Sequence, residues 1–213
     1  MYHFEYVSKN QRKETKKELI KIINLVQDEI RDDFTFRFDF VGSDTLNMVT
    51  CDFSSNIGYD FDVDIQVNDE EEKYDAKTIK HILMNAFNKV LRQHNYSYSN
   101  CEDSTRVFTI KVKDKENSRI LHSCDFAIVY KNNDGSEQYI RFNKEQNYYS
   151  WEYQPKRYYD LSKKIEALKN NGCWNEVLNG YLKKKNNNDD PNKKSRSLRA
   201  EIINEIYNKY FKD

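Results

Sequence analysis

The chain has 213 residues, with 35 Lys and Arg against 35 Asp and Glu, so its formal net charge is zero. A balanced charge argues against a general electrostatic nucleic-acid clamp, which carries a basic excess, although it leaves room for a local basic patch. Aromatic residues make up 14% of the chain and can build a core where aliphatic residues are few, so full disorder is not expected.

The sequence predicts neither a membrane segment nor a disulfide framework. It has no run of about 18 apolar residues, and residues 1–5 lack an apolar signal core. The cysteines form no C-x-x-C pair and have no histidine at zinc spacing; they are Cys51, Cys101, Cys124 and Cys173. We therefore expect reduced thiols in a cytoplasmic protein that has no membrane partner.

Hydrophobic periodicity predicts an α+β fold. An apolar stripe at helical spacing predicts a first helix at 9–31, and strict alternation predicts strands at 34–41 and 59–67. The strands predicted at 119–130 and 137–143 are expected to pair as a hairpin around Gly135. The remaining elements follow in chain order: a helix at 75–94, strands at 106–113, 119–130 and 137–143, and helices at 157–170, 173–185 and 195–211.

The strongest chemical signal is an aspartate at every second position of the strand at 59–67. Asp60, Asp62 and Asp64 share one face of this strand, and apolar residues occupy the other. Three carboxylates in a row repel one another and aspartate is a poor strand former, whereas a bound divalent cation would remove the repulsion. The alternative interpretation is a solvated edge face of an amphipathic strand.

Two further features could complete a phosphate site. Gly42 and Ser43 directly follow a strand, where a glycine lets the backbone approach a phosphate and a serine at a helix start can bind an anion. Asp125 interrupts an otherwise apolar strand, and a buried aspartate is costly unless it is paired. A hydrogen-bonded structural aspartate is the alternative at that position.

This order of motifs resembles the polymerase β-like nucleotidyltransferase superfamily. The order runs from a Gly-Ser pair after a strand to an Asp-x-Asp strand, a helix and a later strand with a third aspartate. It looks like the order in the oligoadenylate-synthase and cyclic GMP-AMP-synthase branch of that superfamily, and in small bacterial nucleotidyltransferase-domain proteins. The resemblance covers residues 10–145. It implies a nucleotidyltransferase-type mixed sheet with flanking helices over 1–150, followed by a helical C-terminal region over 151–213.

Two registers fit the acid pair of that superfamily. Asp60 and Asp62 give Asp-Phe-Asp-Val, which looks like the motif of the synthase branch and is the register that we favour. Asp62 and Asp64 satisfy the same pattern of acid, apolar, acid and apolar residues. The gap between Ser43 and Asp60 is longer than the commonest spacing in the superfamily, which implies a longer helix or loop in between.

The resemblance also implies an activity: transfer of a nucleoside monophosphate from an NTP to an acceptor hydroxyl, with release of pyrophosphate. Asp60, Asp62 and Asp125 would be the catalytic residues and would hold Mg²⁺ or Mn²⁺ in a two-metal site. Gly42 and Ser43 would bind the β- and γ-phosphates. The acceptor stays open, because a nucleotide, an RNA 3′ end, a protein side chain and a small molecule can each present a hydroxyl.

Several other positions allow both a functional and a structural interpretation. Asn47 could contact phosphate or cap a helix, and the aromatic run at 148–151 could stack on a base or pack in the core. His122 falls on the strand face opposite Asp125, so we expect no catalytic role for it. A basic cluster could reach a triphosphate or form a solvated helix face; it comprises Lys193, Lys194, Arg196 and Arg199.

The alternative function is a non-catalytic interaction module with the same fold, either antitoxin-like or nucleic-acid-binding, since a fold does not fix an activity. The complete set of three aspartates argues against it, because a relic of an enzyme need not keep three carboxylates that are costly to bury.

Overall fold

The computed structural model describes residues 2–69, 73–132 and 134–211, apart from the side chains of 156–159. Its helices are α1 (Lys9–Glu29), α2 (Ala76–Gln93), α3 (Lys156–Asn170), α4 (Trp174–Asn186) and α5 (Ser195–Phe211). Its strands are β1 (Glu5–Tyr6), β2 (Thr35–Val41), β3 (Thr50–Cys51), β4 (Ile57–Asn68), β5 (Glu102–Asp103), β6 (Val107–Asp114), β7 (Arg119–Lys131), β8 (Glu137–Asn143) and β9 (Tyr148–Tyr153).

Each predicted helix and strand forms, with bounds that differ by two residues or fewer from the prediction. Helix α1 begins at a capping box, in which the Ser8 hydroxyl accepts the Gln11 N–H and the Gln11 side chain accepts the Ser8 N–H. Helix α2 begins where the Asp75 carboxylate accepts the Thr78 N–H at 2.7 Å. The predicted hairpin joins β7 to β8; its turn includes Asn133, which lies outside the described residues.

Seven strands form one mixed sheet in the order β2–β4–β7–β6–β5, with β8 paired to the end of β7 and β9 paired to β8. Strands β4 and β7 run parallel, and the other pairs in this sheet are antiparallel. A parallel pair needs a crossover connection, which here contains α2. The predicted α+β architecture with a mixed sheet is therefore confirmed.

Helices α1 and α2 share a hydrophobic core with one face of this sheet. The two central strands contribute alternate residues to that core, each at most 1% exposed: Phe61, Val63 and Ile65 from β4, and Cys124, Phe126 and Ile128 from β7. The opposite face carries Asp60, Asp62 and Asp64 of β4 and Asp125 of β7, and we call it the carboxylate face. The helices fix the sheet, and the sheet positions these aspartates.

Two compact units divide the chain. One unit consists of Met1–Tyr6, Thr50–Ser55 and Pro155–Asp213, and the other of Val7–Val49 and Asn56–Gln154. The seven-stranded sheet with α1 and α2 belongs to the second unit. The first unit contains α3, α4 and α5 together with a two-stranded ribbon of β1 and β3.

In the helical unit, α5 packs against both α3 and α4. The ribbon is tied to α4 because the Tyr6 hydroxyl donates to the Leu178 carbonyl at 2.6 Å, while Asn186 bonds both the N–H and the carbonyl of Phe4. No helix among the described residues is long and apolar enough to cross a membrane. The predicted boundary between 1–150 and 151–213 stays a prediction.

Candidate active site

The aspartates of β4 alternate with buried side chains, as the sequence predicts. Phe61 and Val63 are fully buried in the core shared with the helices. Asp60 is exposed, and Asp62 and Asp64 are half-buried on the carboxylate face. The period of two residues in a strand therefore places the three carboxylates in one row.

Strand register brings the third aspartate to this row. Because β4 and β7 run parallel, Asp62 lies opposite Asp125, and Asp60 lies opposite Ser123. Adjacent strands are about 4.8 Å apart, so Asp62 and Asp125 are neighbours on the same face. The structure thus brings together all three aspartates that the favoured register names.

The electrostatics of this face reflect its crowded carboxylates. Burial raises the pKa of Asp125; a hydrogen bond from Thr109 opposes this shift, and the charge of Asp60 adds to it. Burial is also the main cause that raises the pKa of Asp64 to about 7, followed by the charge of Glu137. A cation on this face would favour the ionised carboxylates.

The predicted Gly-Ser turn begins beside Asp62. Val41, the last residue of β2, pairs with Asp62, and Gly42 follows it with a φ of +66°, a conformation that favours glycine. A Cβ on Gly42 would lie 2.2 Å from the Asp62 Oδ2 atom. Glycine is therefore required both by the backbone conformation and by the approach of the carboxylate.

Residues 42–47 form successive turns rather than the start of a helix. Ser43 is half-buried, and its carbonyl accepts the Met48 N–H at 2.8 Å, which closes the turn. Asn47 has a φ of +56° and donates its N–H to the Asp44 carbonyl, so it is a turn residue and caps no helix. The phosphate-binding roles of Gly42 and Ser43 stay predictions.

A buried ion pair anchors this turn to α1, and the sequence did not indicate it. Asp44 accepts the Arg12 Nε–H at 2.7 Å and the Lys16 Nζ–H at 2.5 Å, and Arg12 also donates to the Val7 carbonyl. Burial alone would raise the pKa of Asp44, but the hydrogen bonds from Lys16 and Arg12 hold that pKa below its ordinary value. Arg12 is only 3% exposed, which makes this contact structural.

Thr109 makes a second contact that the sequence did not indicate. It lies on β6 opposite Asp125, and its Oγ1–H donates to the Asp125 Oδ1 atom at 2.5 Å. Lys111, two residues further along β6 and opposite Ser123, pairs with Glu102. The charge of Lys111 opposes the rise that burial causes in the pKa of Asp125.

The remaining candidates have structural surroundings of their own. His122 lies between the rings of Tyr59 and Tyr98, on the strand face opposite Asp125 as predicted, and burial lowers its pKa. Tyr149 is buried, stacks on Phe142 and donates its hydroxyl to Asp103, so packing is the better explanation for this part of the aromatic run.

The basic cluster of the helical unit is partly paired. Lys193 Nζ lies 2.8 Å from a carboxylate oxygen of Glu201, and Lys194 donates to the Pro191 carbonyl. Such contacts are typical of a solvated helix end. The sequence also has an acidic run at 69–72, for which a solvated loop is expected; of these residues the structure describes Asp69 alone.

The carboxylate face fits a hard cation in its donor type and placement. Mg²⁺ and Mn²⁺ prefer oxygen ligands, and Asp60, Asp62 and Asp125 supply carboxylates from adjacent backbone positions. Over the described part of the chain, no three His, Cys, Asp or Glu side chains converge closely enough to hold one ion. Joint ligation would thus require at least one of these carboxylates to turn toward the others.

Comparison with solved structures identifies the fold. The di-nucleotide cyclase DncV of Vibrio cholerae, bound to 3′-deoxy ATP, matches with a TM-score of 0.58 and 19% identity over 89% of this chain and 50% of the cyclase. The CD-NTase CdnG of Bradyrhizobium diazoefficiens, in complex with GTP, matches with a TM-score of 0.51 and 10% identity over 75% of this chain and 42% of that enzyme.

Other matched forms of the Vibrio cholerae protein include the cyclic AMP-GMP synthase in complex with the linear intermediate pppA(3′,5′)pG, at a TM-score of 0.56 and 16% identity over 89% of this chain and 52% of that one. Another is a mutant in which two aspartates, separated by a single intervening residue, are replaced by alanine. The chain spans about half the length of these cyclases. No family model matches the chain, and neither does any curated protein.

The structural neighbours match the mixed α+β architecture of this chain. The chain therefore has the fold of the polymerase β-like nucleotidyltransferases, in the form found in cyclic-dinucleotide nucleotidyltransferases.

Proposed function

We propose that this protein is a metal-dependent nucleotidyltransferase that moves a nucleoside monophosphate from an NTP to an acceptor hydroxyl and releases pyrophosphate. One observation carries the proposal: Asp62 and Asp125 are register partners on adjacent parallel strands, with Asp60 on the same face. A row of carboxylates on one face gains nothing structurally from mutual repulsion, whereas it suits a site for divalent cations and phosphate.

In this proposal Asp60, Asp62 and Asp125 are the catalytic residues and hold Mg²⁺ or Mn²⁺. When bound, such ions neutralise charge on the triphosphate and on the attacking and leaving oxygens. The Gly-Ser turn supplies backbone N–H groups to the β- and γ-phosphates, and Gly42 lets that turn lie against Asp62. A cytoplasmic location belongs to the proposal, because NTPs and Mg²⁺ are both present there.

The reaction forms a bond between the acceptor oxygen and the α-phosphorus of the NTP. The bond from that phosphorus to the oxygen bridging it to the β-phosphate breaks, and both electrons of the broken bond leave with pyrophosphate. Asp125 favours loss of the acceptor proton, which passes to solvent. Positioning and electrostatic stabilisation supply most of the catalysis in such transfers.

The comparisons suggest which substrates to test first. Matched structures contain GTP, 3′-deoxy ATP and a linear product that joins two nucleotides. We therefore place ATP and GTP first among the NTPs and a second nucleotide first among the acceptors. An RNA 3′ end, a protein side chain and a small molecule follow.

The direct test incubates the protein with each radiolabelled NTP, alone and in pairs, in the presence of Mg²⁺ or Mn²⁺. We expect metal-dependent pyrophosphate release and a labelled product. Both should disappear in an Asp60→Ala/Asp62→Ala variant, because it removes two of the three carboxylates. An Asp28→Ala/Asp32→Ala variant is the matched control, since it removes two acidic residues near the end of α1 and should keep the activity.

Activity that survives the Asp60→Ala/Asp62→Ala change would contradict the proposed site. No turnover with any NTP, together with no metal-dependent rise in melting temperature on adding nucleotide, would overturn the proposed activity. That second outcome would favour the non-catalytic interaction module, which a partner that copurifies in a fixed ratio would then support.

A further inference from the structure

A neighbouring strand holds the side chain of Asp125, the candidate catalytic aspartate of β7. Thr109 faces it across the antiparallel pair of β6 and β7, and the Thr109 hydroxyl donates to the Asp125 Oδ1 atom at 2.5 Å. A hydrogen bond to an ionised acceptor is shorter and stronger than one between neutral groups. The contact therefore bears directly on the orientation of the carboxylate.

The surroundings fix the donor in place. The next residues on the two strands, Phe108 and Phe126, are fully buried, and their rings stack with centroids 5.0 Å apart. Ile110 follows Thr109 on β6 and Cys124 precedes Asp125 on β7; these two residues are register partners and are also fully buried. Because a β-branched side chain has few χ1 conformations, this clamped backbone leaves the Thr109 hydroxyl little freedom.

The orientation of Asp125 needs such support, because Asp62 lies opposite it and Asp60 lies on the same face, and like charges repel. A rotation away from the row would relieve that repulsion. With Oδ1 bonded to Thr109, the Oδ2 atom is the oxygen that can turn toward a cation near Asp62. In metal sites, hydrogen bonds to the ligating carboxylate orient it in this way.

We propose that Thr109 is a positioning residue, whose hydroxyl holds the Asp125 carboxylate in the orientation that binds the catalytic cation. The proposal rests on the proposed function, because it presupposes a cation at the carboxylate face. It concerns a residue that contacts Asp125 and does not itself touch substrate.

The test measures Mn²⁺ binding to the protein by the electron paramagnetic resonance signal of free Mn²⁺, without nucleotide or turnover. Thr109→Val keeps the shape and the strand preference of the side chain and removes the donor. We expect its Mn²⁺ affinity to fall about tenfold or more, the loss typical when the partner of a metal ligand is removed. Thr109→Ser keeps the donor and should bind within about threefold of the wild type.

Thr35→Val is the matched control, because Thr35 lies at the exposed start of β2, in the same sheet. A second readout separates positioning from damage: the activity lost in Thr109→Val should largely return at saturating Mn²⁺, which a misfolded sheet would not allow. If Thr109→Val is unstable, Thr109→Ala gives the same comparison without a bulky apolar group.

Equal Mn²⁺ affinity in Thr109→Val and the wild type, with Asp125→Ala binding clearly weaker, would overturn this proposal and leave the proposed function standing. No Mn²⁺ binding by the wild type, either alone or with a non-hydrolysable NTP analogue, would overturn both. A Thr109→Ser variant as weak as Thr109→Val would also overturn it, because the hydroxyl would then not be the cause.

Discussion

At the scale of single residues, Gly42 lets the turn at 42–47 lie close to the Asp62 carboxylate. Its left-handed backbone would strain any other residue, and its missing Cβ leaves room for the Asp62 carboxylate. Gly172 shares the first property, with a φ of +71°, but its Cβ position has nothing within 4 Å. Substituting each glycine by alanine therefore distinguishes the effect of backbone strain from the effect of displacing Asp62.

We expect Gly42→Ala to reduce nucleotidyl transfer about 100-fold, because a displacement of one ångström at a catalytic group has that order of effect. Both variants place an alanine in left-handed backbone, so each should lower the free energy of unfolding by roughly 1–2 kcal/mol. The Gly172→Ala variant should nevertheless keep its activity. Rates normalised to the folded fraction check this. Similar rates for the two variants would show that the approach of Gly42 to Asp62 is irrelevant.

Substitution of Asp64 distinguishes the two possible registers of the acid pair, which are Asp60 with Asp62 and Asp62 with Asp64. It lies opposite Ala127 on β7, whereas Asp62 lies opposite Asp125. We therefore expect Asp64→Asn to keep most of the activity and Asp60→Asn to lose it. The reverse pattern would establish the register of Asp62 and Asp64 instead.

The same substitution makes a prediction about stability and pH. Because the pKa of Asp64 is raised from 3.8 to about 7 in the folded state, its ionisation destabilises the fold as the pH rises between these values. In EDTA at pH 8, Asp64→Asn should be about 1–3 kcal/mol more stable than the wild type, after allowance for partial exposure. Urea unfolding should show the difference vanish near pH 4.

The sequence predicted Asp60, Asp62 and Asp125 because a carboxylate inside an alternating strand violates the local preference for apolar or β-branched residues. Thr109 and Arg12 violate no such preference: a threonine suits a strand and an arginine suits a helix. Their roles depend on contacts with residues 16 and 32 positions away, respectively, which only the folded chain reveals.

At the scale of elements, the loop that follows β2, residues 42–49, is held by charge rather than by regular structure. Its start is fixed by the pair of Asp44 with Arg12, which are 7% and 3% exposed, and by Lys16. Removing one partner of a buried pair leaves an uncompensated charge, whereas an exposed pair contributes little.

We therefore expect Asp44→Ala to reduce the free energy of unfolding by about 3 kcal/mol, since it leaves the Arg12 guanidinium buried. Asp28, on the surface of α1, pairs with Arg31 just beyond the end of that helix, and both side chains are about two-thirds exposed. Asp28→Ala should therefore cost roughly 0.5 kcal/mol at most. Denaturant unfolding compares the two. Equal losses would mean that burial of the Arg12 pair has no bearing on stability.

Long, strongly periodic elements could be predicted from the sequence, and short ones could not. Strands β1, β3 and β5 have two residues each, which is too few to show a period. The segment that forms β9 is rich in aromatic residues at consecutive positions, so it lacks alternation, and the sequence left base stacking open beside core packing. Its pairing with β8 supplied the missing information.

At the scale of the whole molecule, the two compact units are not contiguous in sequence. The N-terminal residues belong with the C-terminal helices, because Phe4 and Asn186 bond to each other across a sequence separation of 182 residues. A division read along the chain cannot reveal such a contact. The match to a cyclase of about twice its length covers 89% of this chain and 50% of the cyclase, and it shows the fold alone.

We expect Asn186→Ala to loosen the ribbon of β1 and β3, because it removes two hydrogen bonds worth about 1 kcal/mol each. Amide hydrogen exchange at residues 4–6 and 50–51 should accelerate about tenfold or more, while β4 and β7 keep their protection. Asn208→Ala, an exposed change on α5, is the control. Unchanged exchange in the ribbon would show that the Phe4 contacts do not stabilise it.

The central claim is that Asp60, Asp62 and Asp125 together bind the metal on which nucleotidyl transfer depends. The most direct measurement is anomalous diffraction at the manganese edge from crystals grown with Mn²⁺ and a non-hydrolysable NTP analogue. We predict a manganese peak within about 2.5 Å of carboxylate oxygens of Asp62 and Asp125, with the triphosphate beside the Gly42 turn. Nucleotide bound with no manganese at these carboxylates, or manganese held only at Asp64, would contradict it.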